Sequence, residues 1–332
     1  MHQVAVIHGD GIGPEVVLAA CHVVDEAGGN IEWHSHPLGL LAVERFGNAA
    51  PKETIEAVRQ LKVGLKGPTT TPTGGGHRSA NVELRKQLDL YACIRPIKSM
   101  PGIYSRFHDV DLVIVRENTE GLYVGQELMV QPGCVISLRT MTDRACARIA
   151  QAAFRYAQNN NRKKVTLGHK ANILKLGDGL LVQSGEKASR DFPKIAYEQM
   201  IIDALCMRLV MEPRDFDVIF MENMFGDIVS DLCAGLAGGL GVAAGANMGD
   251  ECAVFEAVHG SALDIAGKDL ANPIAMIKSA VMMLNHLGEF AISQRIENAL
   301  MAVLQDKSLL TRDLGGQSGT KQFVKNIIQK LR

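Results

Sequence analysis

Short, unbroken apolar runs punctuate the chain. Val4-Ala5-Val6-Ile7, Asp111-Leu112-Val113-Ile114-Val115, Lys163-Lys164-Val165-Thr166-Leu167 and Asp217-Val218-Ile219-Phe220-Met221 each read as a strand buried on both faces. Helical periodicity lies between them, over 143–159, 171–182 and 197–211, and most of 274–332 reads as amphipathic helix. The first strand runs into His8-Gly9-Asp10-Gly11-Ile12-Gly13-Pro14-Glu15, where Pro14 suits the first turn of a helix reaching Val24. This alternation predicts α/β layering. The glycine-rich loop does not satisfy G-x-G-x-x-G in any frame, so a usual Rossmann fold is not expected. The glycine-rich stretch 235–249 reads as a connection between lobes. Polar residues follow the strand ends, at Arg116-Glu117-Asn118, His169-Lys170 and Glu222-Asn223, where open α/β sheets place ligands.

Composition narrows the class. A chain of 332 residues suggests about two domains and can bury a sizeable core. Lys plus Arg total 35 against 36 for Asp plus Glu, a net charge of -1 that argues against a nucleic-acid or anionic-membrane partner. Hydrophobic residues at 47% and charged residues at 21% exclude a disordered chain. The seven cysteines are odd in number and form no Cys-x-x-Cys, so reduced thiols are expected rather than disulfides or structural zinc. The first basic residue is Arg45, and the most apolar stretch, 232–248, is glycine-rich and short for a membrane span. The expected location is the cytoplasm, or the mitochondrial matrix if a presequence has been removed.

Several constellations could carry chemistry. Asp227 and Asp231 stand at i and i+4, so on a helix they share a face and could offer oxygens to Mg²⁺ or Mn²⁺. On spacing alone a solvated helix face explains them as well. Arg85, Arg95 and Arg116 could together clamp a substrate with several carboxylates, or be three surface arginines. Lys170 directly after a strand could act as a base, and Tyr123 as an acid, against the ordinary readings of a solvated lysine and a hydrogen-bonded phenol. The hydroxyl-rich loop from Thr69 to Asn81 could hold an oxyanion through Ser79 and Asn81, or be a plain surface loop. In the run from His259 to Pro273, Asp264 could bond an NAD ribose and repel a 2′-phosphate, or cap a short helix.

Read together, these segments resemble the β-decarboxylating dehydrogenases: isocitrate, homoisocitrate and 3-isopropylmalate dehydrogenases. The resemblance is most specific over Asn223-Met224-Phe225-Gly226-Asp227-Ile228-Val229-Ser230-Asp231 through Gly238-Gly239-Leu240-Gly241-Val242. Glu256-Ala257-Val258-His259-Gly260-Ser261 and Arg116-Glu117-Asn118-Thr119-Glu120-Gly121 support it. It covers nearly the whole chain, with Leu263, Glu222 and Phe225 at positions that are often Pro, Pro and Tyr.

The resemblance implies a two-lobed α/β fold with a mixed sheet flanked by helices. One lobe would comprise 1–96 and 242–332 on the cofactor side; the other, 97–241, would carry metal, catalytic and dimer-interface residues. It implies Asp227 and Asp231 as metal ligands, with Asp203 and Lys170 contributed across a homodimer that could assemble further. Arg85, Arg95 and Arg116 would bind carboxylates, Lys170 would take the hydroxyl proton and Tyr123 would protonate the enolate. Thr70, Glu120, His259, Gly260, Asp264, Ile265 and Asn272 would hold NAD. Ser79 and Asn81 look like the isocitrate pattern, because charged γ-carboxylates favour such donors over an apolar pocket. The implied activity is NAD-dependent decarboxylation of isocitrate to 2-oxoglutarate with Mg²⁺ or Mn²⁺. Homoisocitrate activity is the alternative, with 3-isopropylmalate or a silent regulatory subunit ranked lower.

Overall fold

The computed structural model describes residues 1–72, 76 and 78–332. Its elements are β1 (His2–Ile7), α1 (Gly13–Glu26), β2 (Ile31–Ser35), α2 (Leu40–Phe46), α3 (Lys52–Leu61), β3 (Val63–Lys66), α4 (Ala80–Gln87), β4 (Ala92–Lys98) and β5 (Asp111–Glu117). There follow β6 (Gly121–Gln131), β7 (Cys134–Thr140), α5 (Asp143–Asn159), β8 (Lys164–His169), α6 (Gly177–Asp191), β9 (Ala196–Ile201), α7 (Ile202–Met211) and β10 (Val218–Met221). The chain closes with α8 (Asn223–Leu236), β11 (Ala244–Met248), β12 (Ala253–Ala257), α9 (Ile274–His286), α10 (Phe290–Leu304) and α11 (Thr320–Leu331).

Among the described residues, ten strands form one sheet in the order β2-β1-β3-β12-β11-β4-β5-β10-β8-β9, and β6 and β7 form a separate hairpin. The outer strands pair in parallel, whereas β4 runs antiparallel to both β5 and β11, and β11 antiparallel to β12. The fold is the mixed, helix-flanked α/β sheet expected. Helices cover both faces, which explains the unbroken apolar runs: alternate residues of one strand enter different cores. In β10, Val218 and Phe220 join the core that contains Ala150, Phe154 and Leu181 of α5 and α6; Ile219 and Met221 join Leu205, Val229 and Cys233 of α7 and α8. In β1, Val4 and Val6 meet the α1, α9, α10 and α11 side, and Ala5 and Ile7 the Leu38, Val58 and Leu84 side. The first pair of cores draws on 92–237, the second on 4–103 and 242–327. The sheet itself continues through β4, which contains Pro96, and β11, which begins just after Val242.

Three segments differ from expectation. The helix expected over 171–182 starts at Gly177, because local side chains take up the preceding backbone: the Lys170 N–H donates to Asp178 and the Ala171 N–H to His169 Nδ1. The helix expected over 197–211 starts at Ile202; residues 196–201 instead extend β8 edgewise, with Tyr197 tilted against Phe154 at 5.7 Å. Within 235–249 the stretch is not all connection, since its small residues 244–248 form β11 between β4 and β12. Of the hydroxyl-rich loop, Thr73, Gly74, Gly75 and His77 lie outside the described residues.

Phe220 has no exposed surface and sits mid-sheet. Phe220→Ala should cost about 3–5 kcal/mol in urea unfolding, against a loss under about 1 kcal/mol if the core simply closed over the gap.

Candidate active site

Antiparallel pairing of β4 with β5 sets Arg95 opposite Ile114 and Cys93 opposite Arg116. Beside this pair α8 approaches closely, which requires Gly226: a Cβ there would lie 2.5 Å from Arg116 Cγ. Arg85 arrives from α4 and Tyr123 from β6. These side chains and Asp227 line a cavity of about 230 Å³, together with Ser79, Asn81, His259 and Gly260.

The buried Arg116 guanidinium is the hub. It pairs with Asp227 Oδ1, donates through Nε and Nη2 to Asn223 Oδ1 at 3.0 and 2.7 Å, and lies over the Tyr123 ring at 4.9 Å. Asn223 Nδ2 in turn donates to the Glu120 carbonyl at 2.9 Å. Tyr123 donates its O–H to Asp227 Oδ2. Arg95 donates to Ser230 Oγ at 2.6 Å and Asp231 Oδ1 at 3.2 Å, and its Nη2 stands 3.7 Å from Asp227. Thus the i, i+4 aspartates do share a face, and that face meets the arginines.

These contacts set the charge states. Burial opposes ionisation of Asp227, but Arg116 and the Tyr123 hydrogen bond outweigh it and hold the carboxyl below its usual range. Burial and the bond to Asp227 push the Tyr123 phenol up, so it stays a proton donor at neutral pH. Arg116 is lowered by burial and by its neighbours Arg85 and Arg95. Burial raises Asp231 despite Arg95.

Sequence reasoning missed a second buried network. Glu256 in β12 accepts Arg85 Nη2 at 2.9 Å and Lys66 Nζ at 2.6 Å. Asn247 Nδ2 donates to Glu256 Oε1 at 2.7 Å, and Asn118 Nδ2 to Asn247 Oδ1 at 2.9 Å. Burial opposes the Glu256 charge, yet Lys66 and Arg85 hold its carboxyl far below the usual range. The available signal was a lone charged residue inside each of two apolar strand runs, Lys66 after Val63-Gly64-Leu65 and Glu256 after Ala253-Val254-Phe255.

Of the remaining candidates, Ser79, Asn81, His259 and Gly260 line this cavity, whereas Thr70, Glu120, Asp264, Ile265, Asn272, Lys170 and Asp203 do not. Ser79 caps α4, accepting the Val82 N–H at 3.4 Å, and Asn81 Oδ1 accepts from Thr69 Oγ1 at 2.9 Å. Thr70 bonds Ser261 Oγ at 2.8 Å, and its N–H donates to Asp10 Oδ2 at 2.7 Å. Glu120 turns its carboxylate to Thr142, away from the cavity. Asp264 and Ile265 form a single turn after Ala262 (φ +37°), and Asp264 makes no capping bond there. Asn272 Nδ2 donates to Asp313 Oδ2 and Asn272 Oδ1 accepts the Ile274 N–H, so that side chain is engaged within the chain. Lys170 and Asp203 pair with each other outside the cavity lining.

The residues fit the implied ligands. Asp227 and Asp231 supply the oxygen donors that hard cations prefer; among the described residues no group of three acidic, His or Cys side chains that could hold a metal is found. On the cofactor side three loops are laced together by Asp10 N to the Pro68 carbonyl and Ile12 N to the Ser261 carbonyl, and a Cβ at Gly11 would lie 1.9 Å from that Ser261 oxygen. There His259 Nε2 is buried without a hydrogen-bond partner, as a ligand-facing group would be in the unliganded chain.

Comparison with known proteins decides the family. The model of the isocitrate/isopropylmalate dehydrogenase family matches residues 3–327. The chain belongs to this family. Among family members, isocitrate dehydrogenase [NAD] catalytic subunit 5, mitochondrial, of Arabidopsis thaliana is 48% identical over 97% of this chain and 87% of its own. A mitochondrial regulatory subunit of NAD isocitrate dehydrogenase from Dictyostelium discoideum is 46% identical over 100% of this chain and 92% of its own. The crystal structure of isocitrate dehydrogenase from Methylococcus capsulatus superimposes with a TM-score of 0.97 at 47% identity, covering 100% of both chains.

The Glu256 network predicts a pH signature. Its folded-state pKa is depressed, so its stabilisation is fully present above the ordinary carboxyl value of 4.5 and is lost as pH falls through the folded value. Glu256→Gln strands Lys66 and Arg85 and should cost about 3–5 kcal/mol at pH 7. In urea melts the gap to wild type should narrow below about pH 4; a constant gap would contradict the pairing.

Proposed function

We propose that this chain catalyses NAD-dependent oxidative decarboxylation of isocitrate to 2-oxoglutarate and CO₂, using Mg²⁺ or Mn²⁺. The observation that carries the reading is the convergence of Arg85, Arg95 and Arg116 on one small cavity, facing Asp227 on α8. A tricarboxylate matches three guanidinium groups, and Ser79 and Asn81 give the γ-carboxylate polar neighbours. The names of the relatives support the same activity.

The three arginines bind and orient the substrate carboxylates. Asp227 and Asp231, with Asp203 of the partner subunit, would hold a divalent cation supplying Lewis-acid chemistry, and bound NAD would supply the hydride acceptor. The partner subunit's Lys170 takes the hydroxyl proton. After the C–CO₂ bond breaks, Tyr123 protonates the resulting enolate carbon; its raised pKa keeps that proton available. The laced loops with His259 and Gly260 take the adenosine side of NAD, and Asp264 on its exposed turn favours NAD over NADP by repelling a 2′-phosphate.

A homodimer supports this division of labour. Asp203, Met207 and Met211 share a face of α7 at spacings of four, and both methionines are exposed. The hairpin of β6 and β7 exposes Leu128, Met129, Val135 and Ile136. A second copy covering these surfaces would bring Asp203 and Lys170 with it. The Arabidopsis and Dictyostelium relatives are mitochondrial by name, which accords with the matrix reading rather than the cytoplasmic one. One relative is called catalytic and another regulatory; retention of Tyr123, Lys170, Asp203, Asp227 and Asp231 favours a working subunit. Homoisocitrate remains the second reading, because one methylene is worth only about 1–3 kcal/mol in discrimination.

Assays of the purified protein with isocitrate, homoisocitrate and 3-isopropylmalate, each with NAD and NADP, should give the highest kcat/KM for isocitrate with NAD. Higher values with NADP or 3-isopropylmalate would refute the assignment. Asp227→Asn should abolish Mg²⁺-dependent turnover with circular dichroism unchanged; normal turnover would sink the metal role.

A further inference from the structure

A buried chain of charges outside the cavity ties the candidate catalytic segments together. Asp178, in the first turn of α6, has no exposed surface. Its Oδ2 accepts the Lys170 backbone N–H at 2.5 Å and its Oδ1 accepts Arg139 Nη1 at 2.6 Å. Arg139 lies on β7 beside Thr140, which pairs with Gly121 at the start of β6, the strand of Tyr123. On its other side, Arg139 Nε forms an ion pair with Glu222 Oε2 at 3.5 Å without a hydrogen bond, and the guanidinium lies 5.4 Å from the Phe225 ring centre. Glu222 caps α8, accepting the Met224 and Phe225 N–H groups at 3.1 and 2.9 Å. Glu222 and Phe225 therefore both meet Arg139.

Besides the Asp178 bond, the Lys170 side chain pairs with Asp203 and its carbonyl accepts the Ile173 and Leu174 N–H groups at 3.0 and 2.9 Å. Residues 171–176 form no regular helix, and Ile173 and Leu176 are exposed. The Asp178 carboxylate holds that backbone by accepting two donors at once. An asparagine cannot do so, because its amide NH₂ would face one of the two donors.

We propose that Asp178 is the positioning residue for Lys170, and that Arg139 couples it to Glu222, so that one buried acid–arginine–acid chain sets the Lys170 segment against the helix carrying Asp227. The proposal rests on the reading of Lys170 as the group that takes the hydroxyl proton. It implies that the lysine each chain lends to its partner is anchored to the site that the chain keeps for itself.

Asp178→Asn in the full-length protein tests it, with Lys170→Met as the control for the underlying reading. Asp178→Asn should lower kcat about tenfold to a hundredfold, with KM for isocitrate and NAD within about twofold of wild type. Amide exchange followed by mass spectrometry should quicken over 165–177. Wild-type kcat and unchanged exchange would overturn the proposal, as would higher KM values with kcat intact. If Asp178→Asn does not fold, Arg139→Lys and Arg139→Met replace it: the lysine should retain most of the kcat that the methionine loses, and equal wild-type values would overturn the coupling. Normal turnover by Lys170→Met would count against the proton-acceptor reading alone, and the exchange measurement would still decide whether Asp178 positions the segment.

Discussion

The pairing of Arg116 with Asp227 is the constraint from which the rest of the site follows. Arg116 is almost wholly buried, and a guanidinium in that position without a carboxylate would be strongly unfavourable. Asp227 can reach it only because Gly226 lets α8 lie against β5. Asn223 and Tyr123 complete the enclosure, so one strand end, one helix N-terminus and one hairpin are locked together by a few polar contacts. Breaking the pair would do more than delete a contact. It would leave a buried cation beside two other arginines.

Within the chain, positive and negative groups of the site compensate one another. Arg95 and Arg116 rest on Asp231 and Asp227, and Arg85 rests on Glu256. On the proposed reading, a tricarboxylate and a divalent cation would offer each partner a replacement: carboxylates for the arginines and a cation for the aspartates. The near-zero net charge of the whole chain conceals this local arrangement. Glu256 differs from the aspartates in being buried between two cations, which suits it to holding Arg85 in place.

Much of this was legible in the sequence, for identifiable reasons. The strands β1, β5, β8 and β10 are buried on both faces, so their apolar runs are unbroken. The Asp227–Asp231 spacing places both carboxylates on one helix face whatever surrounds it. Residues 171–176 and 197–201 differ from the expected helices because apolar periodicity does not report that a buried Asp178 captures a backbone N–H, or that β8 has an open edge to extend. The Glu256 network was hidden for a related reason: Lys66 and Glu256 are 190 residues apart in the chain and meet through the parallel pairing of β3 with β12, where they are in register. The role of Glu222 depends on its two bonds at the start of α8 and its proximity to Arg139, which only the folded chain brings together.

The central claim is that the arginine–aspartate cluster is the binding site for a tricarboxylate. Calorimetric titration of isocitrate in the presence of Mn²⁺, into wild type and Arg116→Gln, tests it most directly. The account predicts one isocitrate bound per chain by wild type, and at least about a thirtyfold weaker affinity in the variant, the loss expected when one partner of a buried charge pair is removed. Equal affinity in the two proteins would contradict it.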